Sequence, residues 1–358
     1  MAVAVTGGTG FLGLHLVRGL LRRHDRILLL GHAGSRPALD RLRAFLGACG
    51  DDTSALGERV TAVDVDVSRP HLGLPEPRFR ALAGEVGEVW HCAGLVDLQG
   101  SPGRLRAVNV EGTRRVLELA GTAGARLCHV STAFVAGARR HGTAGDDDLD
   151  AGAGFENAYE ASKHEAERAV REWAATHRAP VLVFRPGVLV TDQPPSADLP
   201  EHTVLALRRL LEWVLRRRPS AGPIVVRVPG DPGARLNMLD VRDAAAAMLA
   251  LAEGAGRSGG AWHVVHPHDV RMTSLAAAFE AVLPVRFRVV PGEPEFPTDE
   301  ERVLYRLARG FLPYHFHRRT FAGERLREAG VDTGAWTAID REYLVAGLTE
   351  LTPAGVAG

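Results

Sequence analysis

Val3-Ala4-Val5-Thr6-Gly7-Gly8-Thr9-Gly10-Phe11-Leu12-Gly13 decides the reading of this chain. A short apolar run stops at a glycine-rich turn, and a stretch with helical spacing opens beyond it. Each glycine answers a different steric demand. Gly7 permits the tight bend, Gly10 lets the backbone approach a pyrophosphate, and Gly13 lets the helix pack close to the strand. The helix N-terminus then offers free amides and a positive dipole end to an anion. Glycine spacing alone is weak evidence, and the plainer alternative is a turn that holds no ligand. Strand, turn and helix in register favour a dinucleotide. Thr6, Gly7, Gly10, Phe11, Leu12 and Gly13 are the expected contacts.

Outward from that turn, apolar runs at 2–5, 26–30, 60–63, 88–91, 127–131 and 181–185 read as buried strands. Residues 11–23, 36–47, 78–84, 105–120 and 158–175 between them have helical spacing and composition. Alternation of strand and helix implies a parallel sheet covered on both faces. The expected fold is α/β, a Rossmann-type doubly wound parallel sheet with a smaller, partly discontinuous C-terminal substrate lobe. Residues 1–190 form the dinucleotide-binding domain and 236–266 return to it. Residues 191–235 and 267–358 form the lobe.

An NAD-preferring site places Asp or Glu at the end of the second strand, against the ribose hydroxyls. Here that strand runs into Gly31-His32-Ala33-Gly34-Ser35-Arg36, and no acid appears before Asp40. His32, Ser35, Arg36 and Arg41 are candidates to hold a 2′-phosphate instead, which favours NADPH. The competing reading makes them solvated loop residues. Asp66-Val67 follows the third strand, towards the adenine edge. Cys92, Ala93 and Gly94 end the fourth with small residues, where backbone must lie close to the cofactor. Cys92 has no evident activating base and reads as a small hydrophobe.

Tyr159-Glu160-Ala161-Ser162-Lys163 sets a phenol and an ammonium four residues apart, on one helix face. A phenol of pKa about 10 is a poor acid at neutral pH unless its anion is stabilised, and a neighbouring ammonium supplies that. Ser131-Thr132, ending the preceding strand, offers a hydroxyl to the reacting oxygen. Proton donor, electrostatic partner and oxygen anchor then surround a carbonyl awaiting hydride. Thr132, Tyr159 and Lys163 are the catalytic candidates, and Lys163 also holds ribose hydroxyls.

Bulk properties narrow the class. Lys+Arg and Asp+Glu are 43 each, which argues against general nucleic-acid binding. Cys49, Cys92 and Cys128 are widely spaced and lack a CxxC pair, so neither a disulfide framework nor a zinc site is expected. No run of the sequence has the length and apolarity of a spanning helix. The expectation is a cytoplasmic protein, monomer or homodimer, without metal.

These motifs resemble the extended short-chain dehydrogenase/reductase superfamily. The likeness runs in order over about the first 270 residues: 6–13, Asp66-Val67, Asn109-Val110-Glu111-Gly112-Thr113, Ser131-Thr132, Tyr159 with Lys163, and Arg185-Pro186-Gly187. It implies that Thr132, Tyr159 and Lys163 are catalytic and that Asn109 organises the site. Pro186, Gly187 and Val188 are then expected at the nicotinamide end. A narrower likeness, carried by Arg41-Leu42 and the stretches 67–74, 91–94, 130–135 and 159–167, is to the branch of fatty acyl-CoA reductases and thioester reductase domains. His32 and Val65 depart from that branch, which usually has arginine and glycine near these positions. The resemblance implies reduction of an acyl thioester, carrier-protein- or CoA-bound, to aldehyde or alcohol. Reduction of a free ketone or aldehyde, sugar-nucleotide epimerisation or dehydration, and binding without turnover remain the alternatives. The arginines at 208, 209 and 216–218 read as a solvated helix face or a docking patch for an acidic carrier. Phe311, Tyr314, His315, Phe316 and His317 read as packing or pocket lining.

Overall fold

The computed structural model describes residues 1–32, 38–196, 200–217, 222–254 and 259–350. Its centre is a seven-stranded parallel sheet. The strands are β1 (Ala2–Thr6), β2 (Ile27–Gly31), β3 (Val60–Asp64), β4 (Val86–His91), β5 (Arg126–Val130), β6 (Val181–Pro186) and β7 (Gly260–Val264). They lie in the order β3-β2-β1-β4-β5-β6-β7. In-register pairing runs from Val3 with Ile27 to Thr6 with Leu30, and at the other edge from Gly260 with Leu182 to Val264 with Pro186.

The apolar runs are continuous because both faces are covered. Val3, Val5, Ile27, Leu29, Trp90 and Phe184 face a core completed by Leu14, Leu16, Val17 and Leu20 of α1 (Phe11–Leu21) and by Phe45 of α2 (Ala38–Ala48). Ala2, Ala4, Leu28, Leu30 and Val89 face the opposite core. There they meet Phe79 of α3 (Glu76–Glu85), Val116 and Leu119 of α4 (Gly112–Ala123), and Val170 of α5 (Ala158–His177). Period-two alternation of Cβ along a strand sends neighbouring residues to different cores, so each must be apolar. Helix α6 (Val241–Gly254) closes the first face with Ala244, Met248 and Leu251.

A third core lies beyond the sheet. It gathers Val204, Leu205 and Leu211 from the helix Thr203–Leu215, Val226 and Val228 from a strand, and Met272, Leu275 and Phe279 from the helix Met272–Val282. Strand Ile224–Pro229 pairs in parallel with Val285–Val290. Leu326, in contrast, is buried against the sheet's own core, with Val331 and Trp336 beside it.

The expected strands and helices are present, with ends shifted by a few residues. One expected helix is not uniform. The stretch read as 105–120 contains a π-helical segment, Arg106–Glu111, ahead of α4. The wider turn places the Asn109 side chain against Leu95 and Ser162. Such bulges recur at functional sites.

The strand order reverses between β1 and β4, so the crevice beyond their carboxyl ends is where a ligand of such a sheet sits. Packing at the turn is severe there. A Cβ on Gly13 would run into the Gly7 carbonyl oxygen, and one on Gly7, which has φ +66°, would fall 2.6 Å from the Ala93 amide nitrogen. Gly13→Ala is expected to lower stability by about 1–3 kcal/mol through this overpacking. The urea denaturation midpoint, compared with unsubstituted protein, checks it.

Candidate active site

The carboxyl ends of β1, β4, β5 and β6 open into a cavity of about 330 Å³. One end is bounded by Gly7, Gly10, Phe11, Leu12, Gly13, Cys92 and Gly94. Thr132, Tyr159, Lys163, Pro186, Gly187 and Val188 line its middle. The far wall is mostly apolar, with Val96, Leu98, Phe134, Leu207, Leu275 and Phe311 among its residues. The glycine turn and the Tyr-Lys pair, more than 140 residues apart in sequence, therefore meet in one space.

Other expected contacts stand off the cavity wall. The Thr6 hydroxyl accepts from the Ala93 amide at 3.3 Å and donates to His91 Nδ1 at 2.8 Å. On the far side of the ring, His91 Nε2 meets the Thr113 hydroxyl at 3.0 Å, and that hydroxyl donates to the Asn109 carbonyl at 2.6 Å. The partners fix the tautomer: Nδ1 accepts and Nε2–H donates. Burial pushes His91 down to about 3, so the ring is neutral and the relay holds. Asn109 extends it. Its Oδ1 accepts from Leu95 N at 2.7 Å and its Nδ2 donates to Ser162 Oγ at 2.9 Å. Ser162 in turn donates to the Tyr159 carbonyl at 2.8 Å. Thr6 and Asn109 thus tie the cofactor turn to the helix that carries Tyr159.

Asp66 caps its own turn, accepting from the Ser68 amide at 2.9 Å and the Ser68 hydroxyl at 2.6 Å. Val67 packs where a Cβ on Gly112 would touch it at 3.2 Å. His32 is exposed and Arg41 half-buried; neither lines the cavity. Ser35 and Arg36 lie outside the described residues.

Around the reacting position, Thr132 is buried at the end of β5, its oxygen accepting from Phe134 N at 3.3 Å. Burial raises the Tyr159 hydroxyl above its ordinary pKa, and it is a hydrogen bond from Thr132 that opposes that rise, not the expected Lys163 ammonium, which donates to the Val130 carbonyl. Lys163 donates to the Val130 carbonyl at 2.7 Å, and burial lowers it to about 8, with Glu167 acting the other way. Burial pushes the Cys92 thiol up to about 12, which keeps it protonated and inert as a nucleophile.

Buried polar partners hold this helix. Ser131, offered as an oxygen anchor with Thr132, donates instead to Glu167 Oε2 at 2.7 Å. Glu167 and Arg185, both fully buried, meet at 2.7 Å between Arg185 Nη2 and Glu167 Oε1. The Arg185 guanidinium also donates to the carbonyls of Asp146 at 3.1 Å and Asp148 at 2.7 Å. At the start of α5, Glu160 Oε1 accepts from the Tyr314 hydroxyl at 2.7 Å. His317 Nε2 pairs with Glu156 Oε1 at 2.7 Å. The motif 159–167 and Arg185-Pro186 held the signal for Glu167 and Arg185. Tyr314, read from the sequence as packing or pocket lining, lines the cavity with Phe311 and His315, and its bond to Glu160 is what the sequence did not mark.

The arginine cluster is engaged within the protein. Arg208 pairs with Glu350 at 2.7 Å, Arg209 with Glu201, and Arg216 with Glu212 at 2.5 Å. Arg217 stacks 3.6 Å over the Trp213 ring. Arg218 is outside the described residues.

The residues present fit a nicotinamide dinucleotide. The turn at Gly7 leaves no room for a side chain, and α1 begins at an uncapped Gly10 with no acid in its first turn. Such a terminus accommodates a pyrophosphate. Fold and site together define an oxidoreductase of the extended short-chain dehydrogenase/reductase type that uses a nicotinamide dinucleotide. The family model described as male sterility protein matches residues 5–222, and the chain belongs to that family. The chain is 34% identical over 194 residues to an isonitrile lipopeptide synthase of Streptomyces coeruleorubidus, covering 52% of this chain and 13% of that protein. It is 28% identical over 286 residues to a linear gramicidin synthase of Brevibacillus parabrevis, covering 78% of this chain and 5% of that protein. The chain therefore spans a small part of these relatives. Among solved structures, the terminal R domain of the myxalamid PKS-NRPS pathway superposes with TM-score 0.77 and 26% identity, over 97% of this chain and 89% of that one.

Replacing Glu167 by Gln removes the charge that neutralises buried Arg185. Breaking one side of a buried pair is expected to cost about 3–5 kcal/mol. Arg185 also holds the Glu167 carboxyl below the usual carboxylate range. Its contribution to stability is therefore complete above the unfolded value of about 4.3 and lost as pH falls through the lower folded one. Urea melts at pH 7 and pH 3 check both, with the deficit of Glu167→Gln shrinking at the lower pH.

Proposed function

We propose that this chain reduces an acyl thioester with NADPH, releasing a thiol and giving an aldehyde or, after a second round, an alcohol. The observation that carries this reading is the convergence of Thr132, Tyr159 and Lys163 in a cavity whose cofactor end is glycine-rich and whose opposite wall is apolar. The apolar wall continues. A second cavity of about 90 Å³, lined by Leu211, Val226, Phe279, Phe287 and Leu304, shares Leu207, Met272 and Leu275 with the first. Such walls suit an acyl chain better than a sugar nucleotide, whose hydroxyls and phosphates would be left unpaired. Relatives named as a lipopeptide synthase and a gramicidin synthase, and a structural neighbour described as a PKS-NRPS R domain, support a thioester held by a carrier protein. The missing acid after β2 supports NADPH over NAD. In our reading, residues 191–235 and 267–358 are the lobe over the acyl group, apart from the stretch around Leu326 that packs on the sheet, with 1–190 and 236–266 as the cofactor domain.

When bound, the dinucleotide supplies the hydride. The chain's own residues do the rest. The Thr132 hydroxyl orients the carbonyl oxygen and donates to it as negative charge develops there. Tyr159 passes its proton to that oxygen. Lys163, held by the Val130 carbonyl, keeps positive charge beside the transfer and has donors left for ribose hydroxyls. The resulting hemithioacetal gives up its hydroxyl proton and forms the aldehyde C=O as its C–S bond breaks, and the sulfur takes a proton and leaves as a thiol.

Incubation with NADPH and an acyl-CoA or acyl-carrier thioester is expected to consume NADPH and free one thiol per aldehyde formed, read by a thiol reagent. Oxidation of NADPH with free ketones, and none with thioesters, would overturn the assignment. Tyr159→Phe is expected to lose at least a hundredfold in kcat, within the general range of about 10²–10⁴ for a proton donor, while the Kd for NADPH stays within a factor of two or so. The ammonium of Lys163 is lost above about pH 8. NADPH affinity is therefore expected to decline above that pH in the unsubstituted protein and to hold to higher pH in Lys163→Arg, as fluorescence titration would read.

A further inference from the structure

The helix Met272–Val282 turns one face to the second cavity: Met272, Leu275, Ala276 and Phe279 line it, at i, i+3, i+4 and i+7. The parallel strands Ile224–Pro229 and Val285–Val290 form another wall. Val226 and Val228 on one, and Phe287 and Val289 on the other, line the cavity, while the intervening Val225, Arg286 and Arg288 are exposed. Protein cores hold few voids larger than a water. A cavity of about 90 Å³ inside the third core is therefore a specific feature of this lobe.

Its chemistry is one-sided. Among the described residues, no charged side chain lines it. The Tyr305 hydroxyl donates to the Arg227 carbonyl, and burial keeps His315 neutral. An apolar cavity of this kind stays dry and takes apolar groups. Leu207, Met272, Leu275, Phe311 and His315 line both this cavity and the one bordered by Thr132 and Tyr159. The boundary between the two is thus four apolar side chains and one neutral imidazole. A peptidyl tail crossing it would bring an N–H and a C=O with each residue, and burying these without partners is costly. A hydrocarbon tail brings neither.

We propose that the second cavity seats the distal end of an acyl chain, and that Ala276 sets the length admitted. The substrate is then a thioester with a hydrocarbon tail, not a peptidyl one. The inference rests on the reductase reading and deepens it. Ala276 is the smallest side chain on the lining face of its helix. A larger residue there takes volume from the cavity and removes no hydrogen bond.

The test is kcat/KM with NADPH for acetyl-, hexanoyl- and dodecanoyl-CoA. Each methylene moved from water into such walls is worth roughly fourfold, and binding of a remote part of a substrate raises kcat/KM. The unsubstituted protein is expected to favour dodecanoyl- over acetyl-CoA by more than about a hundredfold. Ala276→Phe, which displaces two or more methylenes, is expected to lose about tenfold or more with dodecanoyl-CoA. Its rate with acetyl-CoA should hold, which also shows that it folds. A dodecanoyl-CoA carrying a terminal diazirine checks the placement without any substitution. Label on Ile224–Pro229, Met272–Val282 or Val285–Val290, read by mass spectrometry, supports the proposal, and label confined to other segments would overturn it. So would equal loss across the series in Ala276→Phe, or a peptidyl-CoA of matching length reduced as fast as dodecanoyl-CoA. Rates independent of chain length in the unsubstituted protein would sink the inference and leave the reductase reading standing. Failure to reduce any thioester would sink that reading itself.

Discussion

A carboxylate inside a protein must be surrounded by donors or give up its charge. Glu167 shows the first solution, and the position of helix α5 follows from it. Ser131 at the end of β5, Arg185 on β6 and Arg171 one turn further along α5 all point at this one side chain. Arg185 then uses its remaining donors on the carbonyls of Gly145, Asp146 and Asp148. Two strands, a loop and a helix are thereby locked around one charge. Lys163, one turn before Glu167 on α5, inherits its place from that lock.

The cofactor end is built on the opposite principle. Where α5 is fixed by side chains, the turn after β1 works by having none. Gly7 and Gly13 are so close to neighbouring backbone that any Cβ would displace it. The first amides of α1 are left facing the cavity without a cap from Gly10. Between these two regions runs the relay through Thr6, His91, Thr113, Asn109 and Ser162, which ends on the Tyr159 carbonyl. A neutral imidazole suits its centre because it donates on one side and accepts on the other. A charged ring would have to break the bond from Thr6.

What the sequence made legible was local. The glycine turn, the i,i+4 pair of Tyr159 and Lys163, and the buried strands each write their pattern into a short window. The parallel sheet followed because strand and helix alternate. Contacts between distant segments left no such pattern. Tyr314 reaches Glu160 across 154 positions and His91 reaches Thr6 across 85, so nothing near either residue announces its partner. Ser131 and Thr132 look equivalent in sequence, yet adjacent residues of an extended chain face opposite sides. Both border the cavity, but the Ser131 hydroxyl is committed to the buried carboxylate of Glu167. The arginines of the helix Thr203–Leu215 read as exposed because Arg usually is. Arg208 is buried because Glu350, far along the chain, comes back to meet it.

The buried face of α5 explains how the lobe and the sheet share one site. Glu160, Lys163 and Glu167 recur at i, i+3 and i+7, a spacing that keeps them on one side of a helix. Glu160 is buried and answered by Tyr314 from the lobe, so the C-terminal part of the chain is fastened beside Tyr159. Glu167 is answered by Arg185 from the sheet. Lys163, between them, rests on a neutral carbonyl, and an ammonium so placed retains two N–H donors beyond that bond. Burial has already weakened its hold on its proton. Of the three charges on this face, Lys163 gains most from a polar ligand arriving in the cavity, because each new acceptor offsets the desolvation that depresses it. The two side chains tie the helix to Tyr314 and Arg185, and the ammonium between them keeps donors to spare.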